Sequence, residues 1–304
     1  MMVNYVYPGM DAMVAPQDNS DFKFVNSSNH PIYIEAYVVD DRICINIWGK
    51  QHGAVAIHEL LRAILQDEPL KMRRLAEIFH VDVASLHELW MLCGADAGEV
   101  EERMEQDLAL ARQCADTVVG AIYEGQPVMC LSTPHSLRET ESAIREILSC
   151  ALKTSPDAVV VRCSGLSNTT SCRRAYLLTL DNLEDAKRIF PHKRMFLQGE
   201  LELAASCRKR IDEGETAAVR RTMPLAALQA DREYHDLLDT ACVYLLDCDS
   251  SVTRTAEMLF LHKNTIKYRL QRIADLLGYR LGKMPETIEL YRSAAVYRLL
   301  HEVR

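Results

Sequence analysis

Residues 251–278 read SVTRTAEMLFLHKNTIKYRLQRIADLLG and predict two helices joined by a tight turn. The first helix is expected over Val252–Phe260, because a serine stands directly before it as a helix cap. The second is expected over Lys263–Leu277 and ends at Gly278, a residue type that commonly closes helices. Two helices with so short a connection are typical of a helix-turn-helix.

The two faces of the second helix differ in chemistry. One face is apolar at helical spacing and comprises Ile266, Leu270, Ile273 and Leu277. The opposite face is polar and basic and comprises Thr265, Tyr268, Arg269 and Arg272, with Asn264 and Lys267 beside them. Residues 250–275 carry five basic and two acidic side chains, a net charge of +3, whereas the whole chain carries −8. This local reversal of sign favours contact with double-stranded DNA, and a solvated helix without a ligand is the alternative.

The composition of the 304-residue chain limits the classes of protein to which it can belong. Its length allows two or three domains. It contains no apolar run long enough to cross a bilayer, and its first residues lack the pattern of a signal peptide. We therefore expect a cytoplasmic protein with no membrane partner. The ten cysteines are scattered without a C-x-x-C pair, so we expect reduced thiols and no metal site.

Strands alternate with helices in the middle of the chain. We predict strands at residues 89–93, 128–131, 157–162 and 195–197. We predict helices at residues 98–119, 136–152, 172–189 and 201–211. The alternation indicates an α/β domain, which we place at residues 89–228.

A polar loop follows the predicted strand at 157–162. It comprises Ser164, Gly165, Ser167 and Asn168. Ligands often bind at loops that follow strands of α/β sheets, so these four residues are candidates for a ligand site. An ordinary connecting loop is the alternative.

Residues 51–88 are predicted to be a helical connector. At its end, residues 72–90 read MRRLAEIFHVDVASLHELW, which predicts helix, short turn and helix, a second shape of the helix-turn-helix kind. The second of these helices would carry acidic residues and no lysine or arginine, which argues against contact with DNA. We therefore expect a connector or a contact between two copies of the chain.

The first fifty residues differ in pattern from the rest. The segments DFKFVN, PIYIEAYVV and RICINIWG alternate or are rich in β-favouring residues, and they predict a small β-meander over residues 1–50. The whole chain is then α/β plus all-α. It would have an N-terminal β-meander, a helical connector, a central α/β sandwich and a helical domain with the helix-turn-helix over residues 229–304.

The stretch AEMLFLHKNTIKYRLQRIADLLG at residues 256–278 resembles the C-terminal helix-turn-helix of the PucR/CdaR family of bacterial transcription regulators. The family pattern H-[KR]-N-T-[LI]-x-Y-R-L-x-R-I is matched by His262, Lys263, Asn264, Thr265, Tyr268, Arg269 and Arg272. Predicted helices at residues 234–246 and 286–301 flank the motif, as the family would have them. The resemblance implies a sequence-specific DNA-binding regulator. With Lys267 added from its place on the same helix face, these are the candidate DNA-binding residues.

Two further resemblances concern the preceding parts of the chain. Residues 164–190, SGLSNTTSCRRAYLLTLDNLEDAKRIF, are similar to the degenerate GGDEF-like domain of the same family. The G-G-[DE]-[DE]-F run of true cyclases is missing, so the resemblance implies a scaffold or sensor without cyclase activity. The motifs VYPGMDAMV at residues 6–14 and NHPIYIEAY at residues 29–37 resemble the C-terminal end of VanW-family proteins, which are linked to the cell envelope.

These patterns lead to one main hypothesis and two alternatives. We expect a homodimeric DNA-binding regulator that responds to a small metabolite, because one such motif buries little surface and dimers read paired half-sites. The alternatives are a non-catalytic VanW-like envelope protein, and a fusion or gene-model chimera of the two. We expect neither an enzyme nor a cofactor, because no Gly-rich phosphate loop, G-x-S-x-G elbow or local cysteine–histidine motif is present.

Overall fold

The computed structural model describes residues 33–39, 42–48, 53–213, 224–282 and 284–301. Near the N-terminus, strands β1 (Tyr33–Val39) and β2 (Arg42–Trp48) form an antiparallel hairpin. They correspond to two segments of the predicted meander. The third segment, DFKFVN, lies outside the described residues.

A five-stranded sheet forms the centre of the fold. Its strands are β3 (Leu86–Cys93), β4 (Val118–Tyr123), β5 (Gln126–Ser132), β6 (Val159–Cys163) and β7 (Met195–Leu197). They are ordered β4-β5-β3-β6-β7, and all neighbours are antiparallel except β6 and β7. The first strand of the sheet in the chain is therefore its middle strand. The predicted mixed α/β class is confirmed.

Between residues 53 and 213 the structure has the helices α1 (Gly53–Leu65), α2 (Pro69–Phe79), α3 (Ala97–Cys114), α4 (Leu137–Ala151), α5 (Thr169–Ile189) and α6 (Gln198–Asp212). Side chains cap three of them at the N-terminus, since Asp96, Ser136 and Asn168 accept hydrogen bonds from the first free N–H groups of α3, α4 and α5. These short polar residues set where each helix begins.

The helices cover both faces of the sheet, and β3 shows this in its alternation. Leu89 and Met91 pack into a core shared with α1, α5 and α6, whereas Trp90 and Leu92 pack against α3 and α4. All four side chains are buried. A strand covered on both faces has a continuous apolar sequence, which is why LWMLC could be recognised as a strand.

The segment predicted as a connector is part of the larger core. Helix α1 packs against β4 and α5. Its side chains Leu60, Leu61 and Ile64 are almost completely buried. This helix therefore covers one face of the sheet.

The predicted helix at residues 98–119 is too long. Helix α3 ends at Cys114, and β4 begins at Val118. Strand β4 was missed because apolar residues at helical spacing continue as far as Ala115. Its start is set by pairing with β5, and Gly120 permits close packing there, because a Cβ atom would lie 2.6 Å from Leu108.

The predicted second helix-turn-helix at residues 72–90 is wrong. Helix α2 ends at His80 in the left-handed conformation, a 3-10 turn follows at Val83–Ser85, and Leu86–Cys93 is strand β3. The leucine and tryptophan spacing in SLHELW suits a helix as well as a strand. The apolar run at residues 89–93 was predicted as a strand, and pairing with β5 extends this strand back to Leu86.

The C-terminal part of the chain is helical. It begins with a 3-10 turn at Pro224–Ala230 and contains α7 (Tyr234–Cys242), a π-helical continuation at Val243–Asp247, α8 (Val252–Met258), α9 (Lys263–Leu277) and α10 (Glu286–Leu300). These helices follow the predicted boundaries closely. Helix α10 packs on α5 and α6, so the C-terminal helices and the sheet share one core.

None of the helices in the described ranges combines the length and the apolar character needed to cross a membrane.

Candidate nucleic-acid interface

Residues 259–262 connect α8 to α9. At the end of helix α8, the N–H of Leu261 donates to the carbonyl of Ala256 at 2.9 Å. This hydrogen bond closes the helix, and Phe260 has the left-handed conformation with φ 54°. Helix α9 starts directly after His262, whose Nδ1 accepts the N–H of Asn264 at 3.2 Å. Both helix ends are therefore closed within four residues, as the sequence predicted.

The apolar face of α9 is turned inward. Ile266 and Ile273 are fully buried, and Leu270 and Leu277 are partly buried against the core that contains Ile273. Ala256 of α8 is also buried, where α8 and α9 pack together. The predicted apolar stripe is confirmed, and it fixes which side of α9 faces solvent.

The outer side of α9 collects most of the candidate DNA-binding residues. The exposed candidates are His262, Lys263, Asn264, Lys267, Tyr268 and Arg272, and Gln271 and Asp275 of the same helix are exposed as well. Tyr268 is 61 % exposed, and Thr265 is partly buried. Among the residues that the structure describes, Lys263 and Lys267 form no ion pair, so their ammonium groups can bind an anionic partner.

Arg269 differs from the other candidates. Its side chain is only 15 % exposed and lies against α7. There Nη1 donates to Thr240 Oγ1 at 3.3 Å and Nη2 pairs with Asp236 Oδ2. The expectation that Arg269 shares the exposed face with Tyr268 and Arg272 does not hold, because its guanidinium is engaged within the protein.

Within the part of the chain that the structure describes, the guanidinium of Arg272 is bound through Nε only. Its Nε donates to Asp231 Oδ2 at 2.6 Å, while its side chain remains 49 % exposed. The backbone N–H of Glu233 and the Arg272 guanidinium lower the pKa of Asp231, so this carboxylate stays charged at neutral pH. The pair orients the guanidinium and leaves its two Nη groups available to a partner.

The polar loop after β6 lies at the surface. Ser164, Gly165, Ser167 and Asn168 are all exposed. Asn168 Oδ1 accepts the N–H of Ser171 at 2.9 Å, and Ser167 Oγ lies 3.0 Å from Ser171 Oγ. Much of the polar capacity of the loop is thus used to cap α5. A ligand site at these residues stays a prediction.

Two features of the surface were not found from the sequence. The acidic partners Asp231 and Asp236 lie 41 and 33 residues before the arginines that they hold, on other elements, so no local pattern reveals them. The second feature is Phe260, which is 95 % exposed in the turn before α9. Its unusual conformation could have been inferred only from the helix end that surrounds it.

Most cysteines of the described ranges and the carboxylate of Glu88 are covered by the protein. Nine cysteines are free thiols, and eight of them are buried. The carboxylate of Glu88 is buried between Arg162 and the Trp90 indole, accepting from Arg162 Nη2 at 2.6 Å and from Trp90 Nε1 at 2.8 Å. Neither arrangement offers an open reactive site.

The two ends of the chain match different known families. Residues 237–295 match the PucR C-terminal helix-turn-helix domain, and residues 1–48 match the family described as VanW like protein. The first match begins within α7 and ends within α10, so it includes α8, the turn and α9, whereas Asp231 and Asp236 lie just before it. The resemblances to the PucR helix-turn-helix and to VanW-family proteins are thereby confirmed, and the resemblance of residues 164–190 to a degenerate GGDEF-like domain stays a prediction.

Individual relatives are transcriptional regulators. The chain is 22 % identical over 213 residues to the DNA-binding transcriptional activator AdeR of Bacillus subtilis (strain 168), a match over 64 % of this chain and 48 % of that protein. It is 33 % identical over 72 residues to the purine catabolism regulatory protein of the same organism, over 24 % and 13 % of the two chains. It is 28 % identical over 123 residues to the carbohydrate diacid regulator of Escherichia coli (strain K12), over 40 % and 31 %.

A solved structure, the regulator of polyketide synthase expression from Bifidobacterium adolescentis, matches with 17 % identity and a TM-score of 0.34, over 81 % of this chain and 99 % of that chain. The chain spans about half the length, or less, of the curated relatives that it matches. Residues 237–295 of this chain match the PucR C-terminal helix-turn-helix domain, and the chain is related to the PucR, CdaR and AdeR regulators and also matches the VanW-like family at its N-terminus.

Proposed function

We propose that this protein is a sequence-specific DNA-binding transcriptional regulator with α9 as its recognition helix. One observation carries the proposal: the inner face of α9 is buried, while its outer face presents cations together with amide and hydroxyl groups. Phosphates attract the cations, and base edges offer partners to the amide and hydroxyl groups. The similarity to regulators supports the same function.

The residues take different roles in this proposal. Lys263, Lys267 and Arg272 contact phosphates, or Arg272 reads a guanine with its free Nη groups. Asn264, Thr265 and Tyr268 lie near base edges or adjacent phosphates, and His262 caps the helix at the entrance to the groove. Arg269 is reassigned. Through Asp236 it positions α9 on α7 and does not contact the duplex.

We further propose that the sheet region is a degenerate GGDEF-like domain that senses a small metabolite. Its support is the helix-covered sheet, the resemblance of residues 164–190 and the core shared with α10, which provides a mechanical connection to the DNA-binding helices. We place the domains at residues 1–50, 51–88, 89–228 and 229–304, with α1 packed onto the third of these. Neither catalysis nor a cofactor is part of the proposal.

The working unit in this proposal is a cytoplasmic homodimer. A single helix-turn-helix buries little DNA surface, so two copies that read paired half-sites provide the affinity and specificity of a regulator. Sedimentation of the full chain with and without DNA tests the dimer. A monomer that binds a single half-site at full affinity would contradict it.

The VanW-like segment supports a second candidate, a non-catalytic envelope protein, or a chimera that joins two genes. Cell fractionation separates these readings from the regulator. A regulator is expected with the nucleoid, and recovery of the full chain only in envelope fractions would favour the second candidate. The nucleotide sequence across codons 45–60 tests whether the two parts share one reading frame.

DNA binding itself is tested by selecting duplexes from a random library with the full chain and measuring Kd for the selected duplex at several salt concentrations. Lys263→Ala and Lys267→Ala are each expected to weaken binding and reduce the slope of log K against log salt by about one. Lys209→Ala is the control, because it removes an exposed cation from α6, where that lysine pairs with Glu213. If no duplex is enriched, or if all three variants behave alike, the regulator proposal is wrong.

A further inference from the structure

Phe260 is the most exposed large apolar side chain among the residues that the structure describes. It is 95 % exposed, and it lies in the turn between α8 and α9. A ring that protrudes so completely gains almost nothing from packing within the protein. Its presence at this position therefore needs another explanation.

The backbone at Phe260 also disfavours a phenylalanine. The N–H groups of Phe260 and Leu261 donate to the carbonyls of Glu257 and Ala256, at 3.3 and 2.9 Å, and this helix end requires a left-handed residue. Glycine or asparagine adopts that conformation most easily, whereas a bulky side chain is strained there.

Helix α2 provides an internal comparison. It ends with the same two bonds, from His80 to Glu77 and from Val81 to Ala76, and its left-handed residue is the polar His80. Six non-glycine residues in the described ranges have positive φ. Five of these are polar: Asp67, His80, Glu124, Asp249 and Ser250. Of the six described residues, only Phe260 places a large apolar group in this conformation.

The neighbourhood of Phe260 indicates which partner meets the ring. His262, Lys263 and Asn264 follow it and are exposed. A partner that contacts the ring therefore also meets a cation and hydrogen-bonding groups. Duplex DNA has both properties, because deoxyribose carbons lie between the phosphates and the bases, and thymine methyl groups lie on the base edges in the major groove. An apolar protein surface would leave Lys263 without a partner.

On the basis of the proposed function, we propose that Phe260 is a DNA-contacting residue. Its ring lies against deoxyribose carbons or a thymine methyl group at the edge of the groove that α9 enters. The contact adds affinity without adding charge, and the strain of the turn is tolerated because the ring acts on the duplex.

The test separates the effect of the aromatic ring on DNA affinity from the effect of the backbone strain on stability. Phe260→Gly and Phe260→Asn remove the ring but suit the left-handed conformation, so their Tm should be unchanged or higher than that of the wild type. Their Kd for the duplex selected with the wild-type chain should be about tenfold weaker, with an unchanged salt slope. Phe260→Tyr keeps the ring and should bind like the wild type. His80→Gly relieves the matched position in α2 and should leave DNA binding unchanged.

A crosslinking experiment locates the contact directly. With benzoylphenylalanine in place of Phe260, irradiation of the complex should join the full chain to a strand of the selected duplex. Crosslinks only between two copies of the chain would overturn the proposal, as would a loss of dimer in sedimentation that accounts for the weaker binding of Phe260→Asn.

The outcomes also separate this proposal from the proposed function. If Phe260→Gly and Phe260→Asn bind normally while Lys263→Ala binds weakly, the protein is a DNA-binding regulator and Phe260 has no role in it. If the wild type enriches no duplex at all, the proposed function is wrong, and the proposed DNA contact of Phe260 is wrong with it. If Phe260→Tyr loses affinity as far as Phe260→Asn does, an apolar contact by the ring is excluded.

Discussion

Arg298 and Asp247 form an ion pair in which each side chain is only 4 % exposed. Arg298 Nη1 donates to Asp247 Oδ1 at 2.9 Å and to the backbone carbonyl of Ile189 at 2.6 Å. One guanidinium thus joins α10, the π-helical end of α7 and the last residue of α5. Asp247 lies directly before the candidate DNA-binding helices, so this pair connects them to the sheet region.

Breaking this pair is expected to be costly. Arg298→Ala or Asp247→Ala leaves an unpaired charge in the core and should lower the free energy of unfolding by about 3–5 kcal/mol. The double variant Arg298→Met with Asp247→Leu should lose less than either single variant, because no charge remains buried. Urea denaturation measures both effects. Arg145→Ala, which removes an exposed pair with Glu141, is the control and should cost less than about 1 kcal/mol.

The two arginines of α9 should respond differently to substitution. Arg269→Ala removes a mostly covered contact with α7, so we expect a lower Tm and little change in the salt slope of DNA binding. Arg272→Ala should leave Tm nearly unchanged and reduce that slope by about one. Gel-shift titration at several salt concentrations, together with thermal denaturation, separates the two. Equal effects of both variants on the salt slope would contradict the reassignment of Arg269.

Gly120 in β4 should not tolerate a side chain. An added Cβ atom would lie 2.6 Å from Leu108 Cδ2 and 2.7 Å from Met129 Cγ, both in the core between the sheet and α3. We expect Gly120→Ala to lower the free energy of unfolding by about 1–3 kcal/mol, measured in urea. Gly199→Ala in α6 is the matched control. Its Cβ would have open space, so it should be neutral or stabilise the helix by up to about 1 kcal/mol.

The buried thiols predict a loss of stability in alkali. Burial raises the pKa of Cys93 and of Cys242 from 9.0 to about 12. Above pH 9 a thiol therefore ionises in the unfolded chain while it stays protonated in the folded one. This ionisation lowers the free energy of the unfolded state, so the free energy of unfolding falls as pH rises from about 9 to about 12. Urea midpoints across this range should fall less steeply in Cys242→Ala than in the wild type. Parallel slopes would show that other groups dominate.

The parts of the fold that were predicted well have strong local patterns. Helix α9 repeats its apolar residues every three or four positions, and the burial of Ile266 and Ile273 follows directly from that period. Strand β6 is a run of valines that suits a strand covered on both faces. In these segments local preference and tertiary packing favour the same structure.

The parts that were missed depend on distant residues. Residues 86–88 at the start of β3 suit a helix as well as a strand, and their pairing with β5 makes them part of the strand. The same applies to the candidate site. A helical wheel places Arg269 near Tyr268, but whether its side chain turns outward depends on Asp236 in another helix. Contacts of this kind are created by the fold and leave no trace in local sequence.

The position of β3 has a consequence for synthesis of the protein. It is the middle strand of the sheet, yet it precedes both of its neighbours in the chain. As the polypeptide leaves the ribosome, the apolar residues of β3 emerge first and find no edge to join. These residues can pair only after β5, and then β6, has been synthesised. A translational pause between these strands would expose an unfinished sheet to other nascent chains, so we expect chaperone binding to be concentrated at this stage.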